Sequence, residues 1–218
     1  YDQSGAFEWV VHATNGFRAY VNGVAVDSQG NAYIAGGFSE PFDLYRNDAL
    51  QASVSGMGTD IFLAKISSEG NVEWVKSVSG DIGYKIPGGI EVLEVSGNVE
   101  MFLWGTSAHG GDLDPGPGTT LDDAVDGDRH GFLGKYHYDA TEDALKLDWF
   151  AARETGSLSG WLSDIDISQN EIIGVGDTTT EAYIGVFDVT TGELVEENLT
   201  STSAPGGTPS PPGYRVRK

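Results

Sequence analysis

The hydrophobic and polar positions of this chain predict short β-strands separated by tight turns. Residues 72–78 alternate apolar and polar side chains, which is typical of an outer strand with one solvated face. Residues 32–37 are apolar or very small throughout, which is typical of a strand enclosed between neighbouring sheets. Residues 27–31 and 67–71 carry the Gly, Asn and Asp that tight hairpins need for positive φ angles. Each unit is therefore predicted to be two hairpins or one four-stranded meander.

The same unit occurs about three times along the chain, with a period of about 70 residues. A glycine closes the first hairpin of each copy, at Gly36, Gly105 and Gly176. A tryptophan marks the last strand, at Trp9, Trp74 and Trp149. The third copy is weaker and has Glu196 at the place of the tryptophan. Because two independent markers give nearly the same period, we interpret the pattern as an internal repeat.

Four-stranded sheets that repeat around an axis form a β-propeller, so the predicted fold is all-β with four-stranded antiparallel blades. A β-sandwich or a β-solenoid is the alternative, although a unit of about 70 residues is too long for one coil of an ordinary solenoid. The predicted parts are the last strand of a preceding blade, three blades of which the third is degenerate, and a Pro/Gly/Ser-rich tail with a basic end: residues 1–14, 15–80, 81–155, 156–202 and 203–218.

Three blades and an orphan strand predict an incomplete ring, because closed propellers have about four to eight blades. Two explanations fit: the chain is a piece of a longer polypeptide, which we favour, or another copy of the molecule supplies the missing blades. An open edge exposes unpaired backbone groups and invites association. We therefore expect the orphan strand, residues 6–14, to pair with β-structure outside this chain or at its end.

Several segments resemble a known repeat. Residues 27–33, 60–65 and 70–74 resemble the SBBP-type β-propeller repeat of secreted and cell-surface proteins. Residues 112–119 are similar to an Asp-Phe-Asp-Pro-Gly-Pro-Gly element that such repeats carry between their two hairpins, and residues 42–45 are a degraded match in the first copy. The resemblance implies a propeller that is secreted, extracellular or on the cell surface. It implies no single activity and no catalytic residues, since one fold hosts many functions.

The charge and composition exclude several classes of function. The chain has 12 basic and 33 acidic residues and a net charge of −21, which repels nucleic acid, so no nucleic-acid partner is expected. No apolar run approaches the roughly 18 residues that cross a bilayer, so no membrane insertion is expected. The absence of cysteine excludes disulfides, thiol catalysis and cysteine-ligated zinc.

An acidic segment of the second copy is the candidate metal site. Calcium needs several oxygen ligands on a flexible loop, and this segment supplies six aspartates with glycines between them. The spacing lacks the EF-hand pattern, so a solvated acidic loop is the alternative. The ligands that we select for Ca²⁺ are Asp112, Asp114, Asp126 and Asp128.

The tryptophans and one sequon suggest further surface sites. The recurring tryptophans are expected to pack between blades rather than to stack on sugars, because ligand sites rarely repeat in every unit. Trp104 and Trp161 lie outside that register and are the better candidates for a surface that binds a partner. Asn198 begins the sequon Asn-Leu-Thr and is a candidate for N-glycosylation if the source is a secreting eukaryote.

The end of the sequence has a different composition. Residues 201–213 are rich in Ser, Thr, Pro and Gly and read as a linker. Basic residues follow at Arg215, Arg217 and Lys218. They indicate a dibasic processing site, a patch that docks on an acidic surface, or the first strand of a following domain.

No catalytic signature is present, since the chain has no Gly-x-Ser-x-Gly elbow and no phosphate-binding loop, and no pair of carboxylates stands out. The sequence therefore predicts a non-catalytic extracellular module for structure, adhesion or protein interaction. It would bind other protein chains, further blades or copies of itself through an open blade edge or the tail. The alternative is a carbohydrate-active or ligand-binding propeller domain with loops stabilised by Ca²⁺.

Overall fold

The fold is known from a computed structural model that describes residues 4–14, 18–56, 59–78, 84–108, 112–116, 129–153, 162–177, 181–201 and 214–217. Within these ranges all regular structure is β and no helix occurs. The strands are β1 Val11–Thr14, β2 Tyr20–Val26, β3 Ala32–Phe38, β4 Phe42–Arg46, β5 Ala49–Val54, β6 Asp60–Ile66, β7 Val72–Val78, β8 Tyr84–Val95, β9 Asn98–Ala108, β10 Arg129–Asp139, β11 Ala144–Arg153, β12 Leu162–Ile167, β13 Glu171–Asp177, β14 Glu181–Asp188, β15 Leu194–Ser201 and β16 Tyr214–Arg217.

Three of the four sheets are blades. Blade 1 has the strand order β2-β3-β6-β7, and blade 3 has the order β12-β13-β14-β15. Blade 2 has the order β8-β9-β10-β11 with β16 added outside β11. Every pairing in them is antiparallel. The prediction of an all-β propeller with four-stranded antiparallel blades is confirmed, and the described blades do not close into a ring.

Bulges recur at equivalent places and define the repeat at the level of the backbone. The pairing of the first strand with the second shifts by one residue in every blade, at Val21/Gly23, Pro87/Gly89 and Leu162/Asp164. The pairing of the third strand with the fourth shifts in the same way, at Lys65/Ile66, Lys135/Tyr136 and Val186/Phe187. Bulges increase the local twist of a strand pair, so their recurrence gives the blades a common curvature.

The strand register places the tryptophans that mark the repeat, and the residue that replaces them in the third copy, at equivalent positions. Trp74 lies opposite Lys65, and Trp149 lies opposite Lys135. Glu196 lies opposite Val186, which occupies the equivalent position on the third strand of blade 3. The alignment of Glu196 with the two tryptophans is therefore confirmed.

The hairpin turn between β2 and β3 is organised by Asp27. Its Oδ1 accepts hydrogen bonds from the backbone N–H groups of Gln29 and Asn31, at 3.0 and 2.9 Å. Its Oδ2 accepts one from the side chain of Asn31 at 2.8 Å. Asn31 Oδ1 in turn accepts the N–H of Ser68 at 3.2 Å, which joins this turn to the turn between β6 and β7. The Asp-x-x-Gly-Asn pattern is thus a self-contained Asx turn that also ties two hairpins together.

The pairing of the first strand corrects one expectation. Residues 6–14 were expected to pair outside the chain or at its end, but β1 pairs with β4, with Val11 opposite Arg46 and Thr14 opposite Asp43. Blade 1 carries the hairpin β4-β5 between β3 and β6, and this hairpin offers a free edge beside the N-terminal segment. The backbone groups of β1 that face β4 are therefore paired within the chain.

Two hydrophobic cores hold the molecule together. The larger core lies between the blades. The smaller core lies between blade 1 and the sheet β1-β4-β5, where the rings of Phe38, Phe42 and Phe62 pack edge to face with centroids 5.0 to 6.3 Å apart. Such aromatic pairs add about 0.5–1.5 kcal/mol each beyond the buried area. The sheet β1-β4-β5 is therefore a packed part of blade 1.

Candidate functional site

Successive blades pack through a repeated contact of the marker tryptophan. The indole of Trp149, on the last strand of blade 2, lies against Gly192 in the β14–β15 turn of blade 3. Trp9 lies in the same way against Gly70 in the β6–β7 turn of blade 1, and its Nε1 donates to the carbonyl of Ser68 at 3.3 Å. The expectation that these tryptophans pack between structural units is confirmed.

The contact between blades 1 and 2 uses an aromatic partner instead of a glycine. Trp74 stacks on Tyr138 with ring centroids 4.9 Å apart and an interplanar angle of 15°. Beside this pair, Lys76 Nζ lies 2.9 Å from Asp143 Oδ1 across the same boundary. Each tryptophan thus covers the turn that joins the third and fourth strands of the next blade.

Corresponding positions show which side of each blade faces the next one. In blade 1 the side that faces blade 2 carries Tyr33, Ala35 and Leu63, which are 0–3 % exposed. In blade 2 the equivalent positions are Phe102, Trp104 and Leu133, which are 0–4 % exposed because blade 3 covers them. In blade 3 the equivalent positions are Ile173, Val175 and Ile184, which are 41–45 % exposed. We call this side of blade 3, Ile173, Val175, Ile184, Val186 and Glu196, the open face.

The open face is apolar in its centre and acidic at two borders. Asp164 and Asp166 on β12 lie opposite Val175 and Ile173 on β13. Glu196 on β15 borders the other side, and its carboxylate accepts a hydrogen bond from the side chain of Asn198 at 3.1 Å. An exposed apolar surface rimmed by polar groups marks a protein interaction site.

The first side of blade 1, at the other end of the stack, is partly covered by the sheet β1-β4-β5. Val24 and Val26 on β2 are each 61 % exposed there. Between the sheet and the blade lies a cavity of about 200 Å³, whose lining includes His12, Tyr20 and Phe62. Its volume is below the roughly 300–1,000 Å³ that ligand pockets occupy. The cavity is therefore small for a site that encloses a drug-sized ligand.

The structure buries Trp104, which corrects its assignment to an exposed surface. Trp104 is 4 % exposed, and its indole lies over Gly88 and Gly89 of the neighbouring strand β8. It is on the side of blade 2 that blade 3 covers, so a partner does not reach it in this arrangement. Trp161, the other candidate, lies outside the described residues.

Half of the predicted calcium ligands lie in the described residues. Asp112 Oδ1 accepts the N–H of Asp114 at 3.0 Å, and Asp114 Oδ1 accepts the N–H of Gly116 at 2.8 Å. Leu113 between them is fully buried, and its carbonyl accepts the hydroxyl of Tyr136 at 2.9 Å. These contacts pin the segment to the blade, and one oxygen of each carboxylate holds a turn.

The other predicted ligands, Asp126 and Asp128, lie outside the described residues. Within the described part of the chain, no three His, Cys, Asp or Glu side chains converge on a point that could hold a metal ion. Calcium at Asp112 and Asp114 therefore stays a prediction.

Burial, and then the charges of Asp114 and Asp112, raises the pKa of Tyr136 well above its usual range, so its hydroxyl remains a donor.

The remaining predicted sites lie on outer strands. Asn198 is exposed on β15 opposite Ile184, and its glycosylation stays a prediction. Arg215 and Arg217 belong to β16, which pairs with β11. Lys218 lies outside the described residues.

Two comparisons bear on the identity of the chain. The chain matches no curated protein in a sequence search. Over the described ranges no helix has the length and apolar character needed to traverse a bilayer. Residues 15–36, which include β2 and most of β3, match the family model of the SBBP beta-propeller repeat, as the motif at residues 27–33 predicts. By this match and its three blades, the chain is similar to SBBP-type beta-propeller repeat proteins.

Proposed function

We propose that the chain is a non-catalytic structural or interaction module of an extracellular or cell-surface propeller protein, and that it works by packing its open face against another β-sheet. The observation that carries this proposal is the exposure of Ile173, Val175 and Ile184. In blades 1 and 2 the corresponding residues are buried by the following blade. The partner is a further blade of the same protein or a sheet of another chain.

The chemistry of the open face supports a specific kind of partner. Its centre requires an apolar sheet surface, because exposed aliphatic groups gain about 25 cal/mol per Å² when they are buried. The carboxylates of Asp164, Asp166 and Glu196 favour basic groups at the rim of that surface. The partner therefore presents an apolar strand surface with lysine or arginine at its border.

A second copy is the less favourable partner in a head-to-tail stack. Such a stack would place the open face of one copy on the first side of blade 1 of the next copy. The sheet β1-β4-β5 already packs against that side around Phe62 and Ala64. A second copy would have to displace this sheet, whereas a further blade or a different protein would not.

The proposal is tested by surface labelling of the protein in its natural assembly. Material purified without denaturation from its source and the separate 218-residue chain are labelled with a carbene reagent, and the labels on Ile173, Val175 and Ile184 are quantified by mass spectrometry. We expect several-fold lower labelling of these residues in the natural assembly, because a partner covers them. Val95, which is 40 % exposed away from the open face, is the internal control and should label equally in both. Equal labelling of the open face in both samples would contradict the proposal.

The extracellular location is tested separately. Fractionation of the source cells, followed by immunoblotting, should place the protein in the medium or on the outer surface. Exclusive recovery from the cytoplasm would contradict this part of the proposal without affecting the role of the open face.

A further inference from the structure

Blade 2 has a fifth strand that the other blades do not have within the described ranges. Residues Tyr214–Arg217 form β16, which pairs antiparallel with the outer edge of β11, with Val216 opposite Ala151 and Arg215 opposite Ala152. Blades 1 and 3 end at β7 and β15. We call the outer edge of β11 at residues 150–153 the acceptor edge. It is paired with a further strand, whereas the equivalent edges of β7 and β15 are unpaired in the part of the chain that the structure describes.

The side chains of the three outer strands explain this difference. Proteins protect exposed strand edges with charged residues, which discourage the addition of another strand. The position of Ala151 corresponds to Lys76 in β7 and to Asn198 in β15. The position of Phe150 corresponds to the apolar Val75 in β7 and to the charged Glu197 in β15. Over its first three residues the acceptor edge thus has no polar side chain, whereas each of the other two edges has a charged one, Lys76 in β7 and Glu197 in β15. Phe150 and Ala151 are buried, and the charged residue of the acceptor edge, Arg153, stands at its end.

The added segment differs from the rest of the chain in its charge. Three of the 12 basic residues lie in the last four positions of a chain whose net charge is −21, so the segment is attracted to almost any surface of the molecule. Residues 202–213 connect it to β15, and twelve residues reach at most about 40 Å when extended. Their Pro, Gly, Ser and Thr content is that of a linker.

We infer that the acceptor edge is a strand-addition site for an extended basic segment, that residues 214–217 occupy it from within the same chain, and that a second copy supplies the same segment when the first is displaced. The backbone provides the affinity and the unprotected edge provides the selectivity for blade 2. The tethered segment has the advantage of a high effective concentration, so it closes the site in the isolated molecule. This inference does not depend on the open face of blade 3.

The test starts from the full chain with the double substitution Arg215→Pro and Val216→Pro. In an antiparallel pair, neighbouring residues alternate between donating toward the partner strand and donating away from it. One of the two prolines therefore removes an N–H that faces β11, whichever residue carries it. We expect amide hydrogen exchange in residues 150–153 to become about tenfold faster or more than in the unaltered chain. A synthetic peptide with the sequence of residues 209–218 stands for the segment of a second copy and should restore the slow exchange.

Two modified peptides distinguish strand addition from attraction of charge. One carries an N-methyl group on the amide of Arg215 and the other on the amide of Val216, so both keep every side chain and charge. Strand addition requires that one of them protects residues 150–153 and the other does not. Equal action of the two peptides, or unchanged exchange in the double proline chain, would overturn the inference. The substitution Ile184→Glu, in the open face, should leave all of these results unchanged, so failure here is distinct from failure of the proposed function.

Discussion

The indole of Trp149 lies so close to Gly192 that a Cβ atom on residue 192 would come within 2.5 Å of the ring. Gly192 also has a positive φ of 73°. Both the turn and the contact between blades therefore require glycine at this position. The relationship links the local geometry of one hairpin to the stacking of blades 2 and 3.

We expect Gly192→Ala to destabilise the protein more than Gly97→Ala does. Gly97 has a positive φ of 84°, but a Cβ there would have no neighbour within 4 Å. The Gly97 variant should lose about 1 kcal/mol from backbone strain alone. The Gly192 variant should lose a further 1–3 kcal/mol or so, since Trp149 has to move. Urea unfolding of both variants measures the difference in the free energy of unfolding. Equal losses would show that the close approach of Trp149 to residue 192 adds nothing to the cost of the substitution.

Asp27 should make the protein sensitive to acid. Burial alone would raise its pKa, but hydrogen bonds from the side chain and N–H of Asn31 and from the N–H of Gln29 hold the pKa below 3.8. A carboxylate with a lowered pKa stabilises the fold above the unfolded-state pKa, and this stability is lost as the pH falls through the folded-state pKa. We expect Asp27→Ala to cost about 1–3 kcal/mol at pH 7 and progressively less below pH 4 or so.

The control for Asp27 is Asp139→Ala in the turn between β10 and β11. Asp139 also accepts two backbone hydrogen bonds, from Thr141 and Glu142, but it is more exposed than Asp27 and does not join two hairpins. Its replacement should cost less than that of Asp27. Urea unfolding at a series of pH values gives both losses, and a pH-independent loss for the Asp27 variant would refute the role of its charge.

The structural features that repeat from blade to blade could be predicted from the sequence alone. The recurrence of tryptophan at Trp74 and Trp149 predicted contacts between blades, because a bulky side chain in every unit must fit a surface that every unit presents. The sequence also predicted that Glu196 takes the place of the tryptophan in blade 3, and the register, with Glu196 opposite Val186, agrees. Local pattern carries this information because it depends on neighbours along the chain.

The features that the sequence did not predict depend on contacts between distant segments. The alternation in β4 and β5 and the Asn47-Asp48 turn, with positive φ at both residues, are signals that could have revealed the extra hairpin. Its pairing with β1, however, has no local signal. Trp104 was assigned to the surface because it lies outside the tryptophan register, and its burial follows from Gly88 and Gly89 on another strand.

Glu91 should weaken the fold at neutral pH. Burial, and then the charges of Asp164 and Asp166, raises its pKa above 4.5. A carboxyl with a raised pKa destabilises the fold when it is ionised, and the penalty disappears as the pH falls through the folded-state pKa toward the unfolded one. We expect Glu91→Gln to stabilise the protein at pH 7 by less than about 1 kcal/mol, because solvent screens a partly exposed group.

The pH dependence of the Glu91 effect distinguishes charge from packing. The gain from Glu91→Gln should shrink as the pH falls toward about 4, where the unaltered residue becomes mostly protonated in both states. Asp166→Asn should produce a smaller gain of the same sign, since it removes part of the repulsion. Thermal unfolding at pH 4 and pH 7 measures both effects, and a gain that persists at pH 4 would point to packing instead.

Calcium, if it binds as predicted, should raise the stability of the chain. Binding to the folded state alone adds about 2.7 kcal/mol when the free ion is at 100 times its dissociation constant. Asp126→Asn with Asp128→Asn should abolish the rise, because these side chains would lose ligand charge. Melting curves with calcium and with a chelator test this, and identical curves for the unaltered chain would contradict the predicted site.

The ion pair between Lys85 and Asp60 should behave as a buried clamp between blades 1 and 2. Lys85 Nζ lies 3.2 Å from Asp60 Oδ1, and the side chains are 0 and 3 % exposed. Removal of Lys85 leaves the buried carboxylate of Asp60 without its cationic partner, so Lys85→Met should cost about 3–5 kcal/mol. Asp60→Leu combined with Lys85→Met should recover much of that loss, because the apolar pair leaves no isolated charge inside the protein. As a surface control, Lys146→Met breaks the exposed pair with Glu142 and should cost far less. A double variant no more stable than Lys85→Met alone, measured by urea unfolding, would show that the loss comes from packing around the lysine and not from its charge.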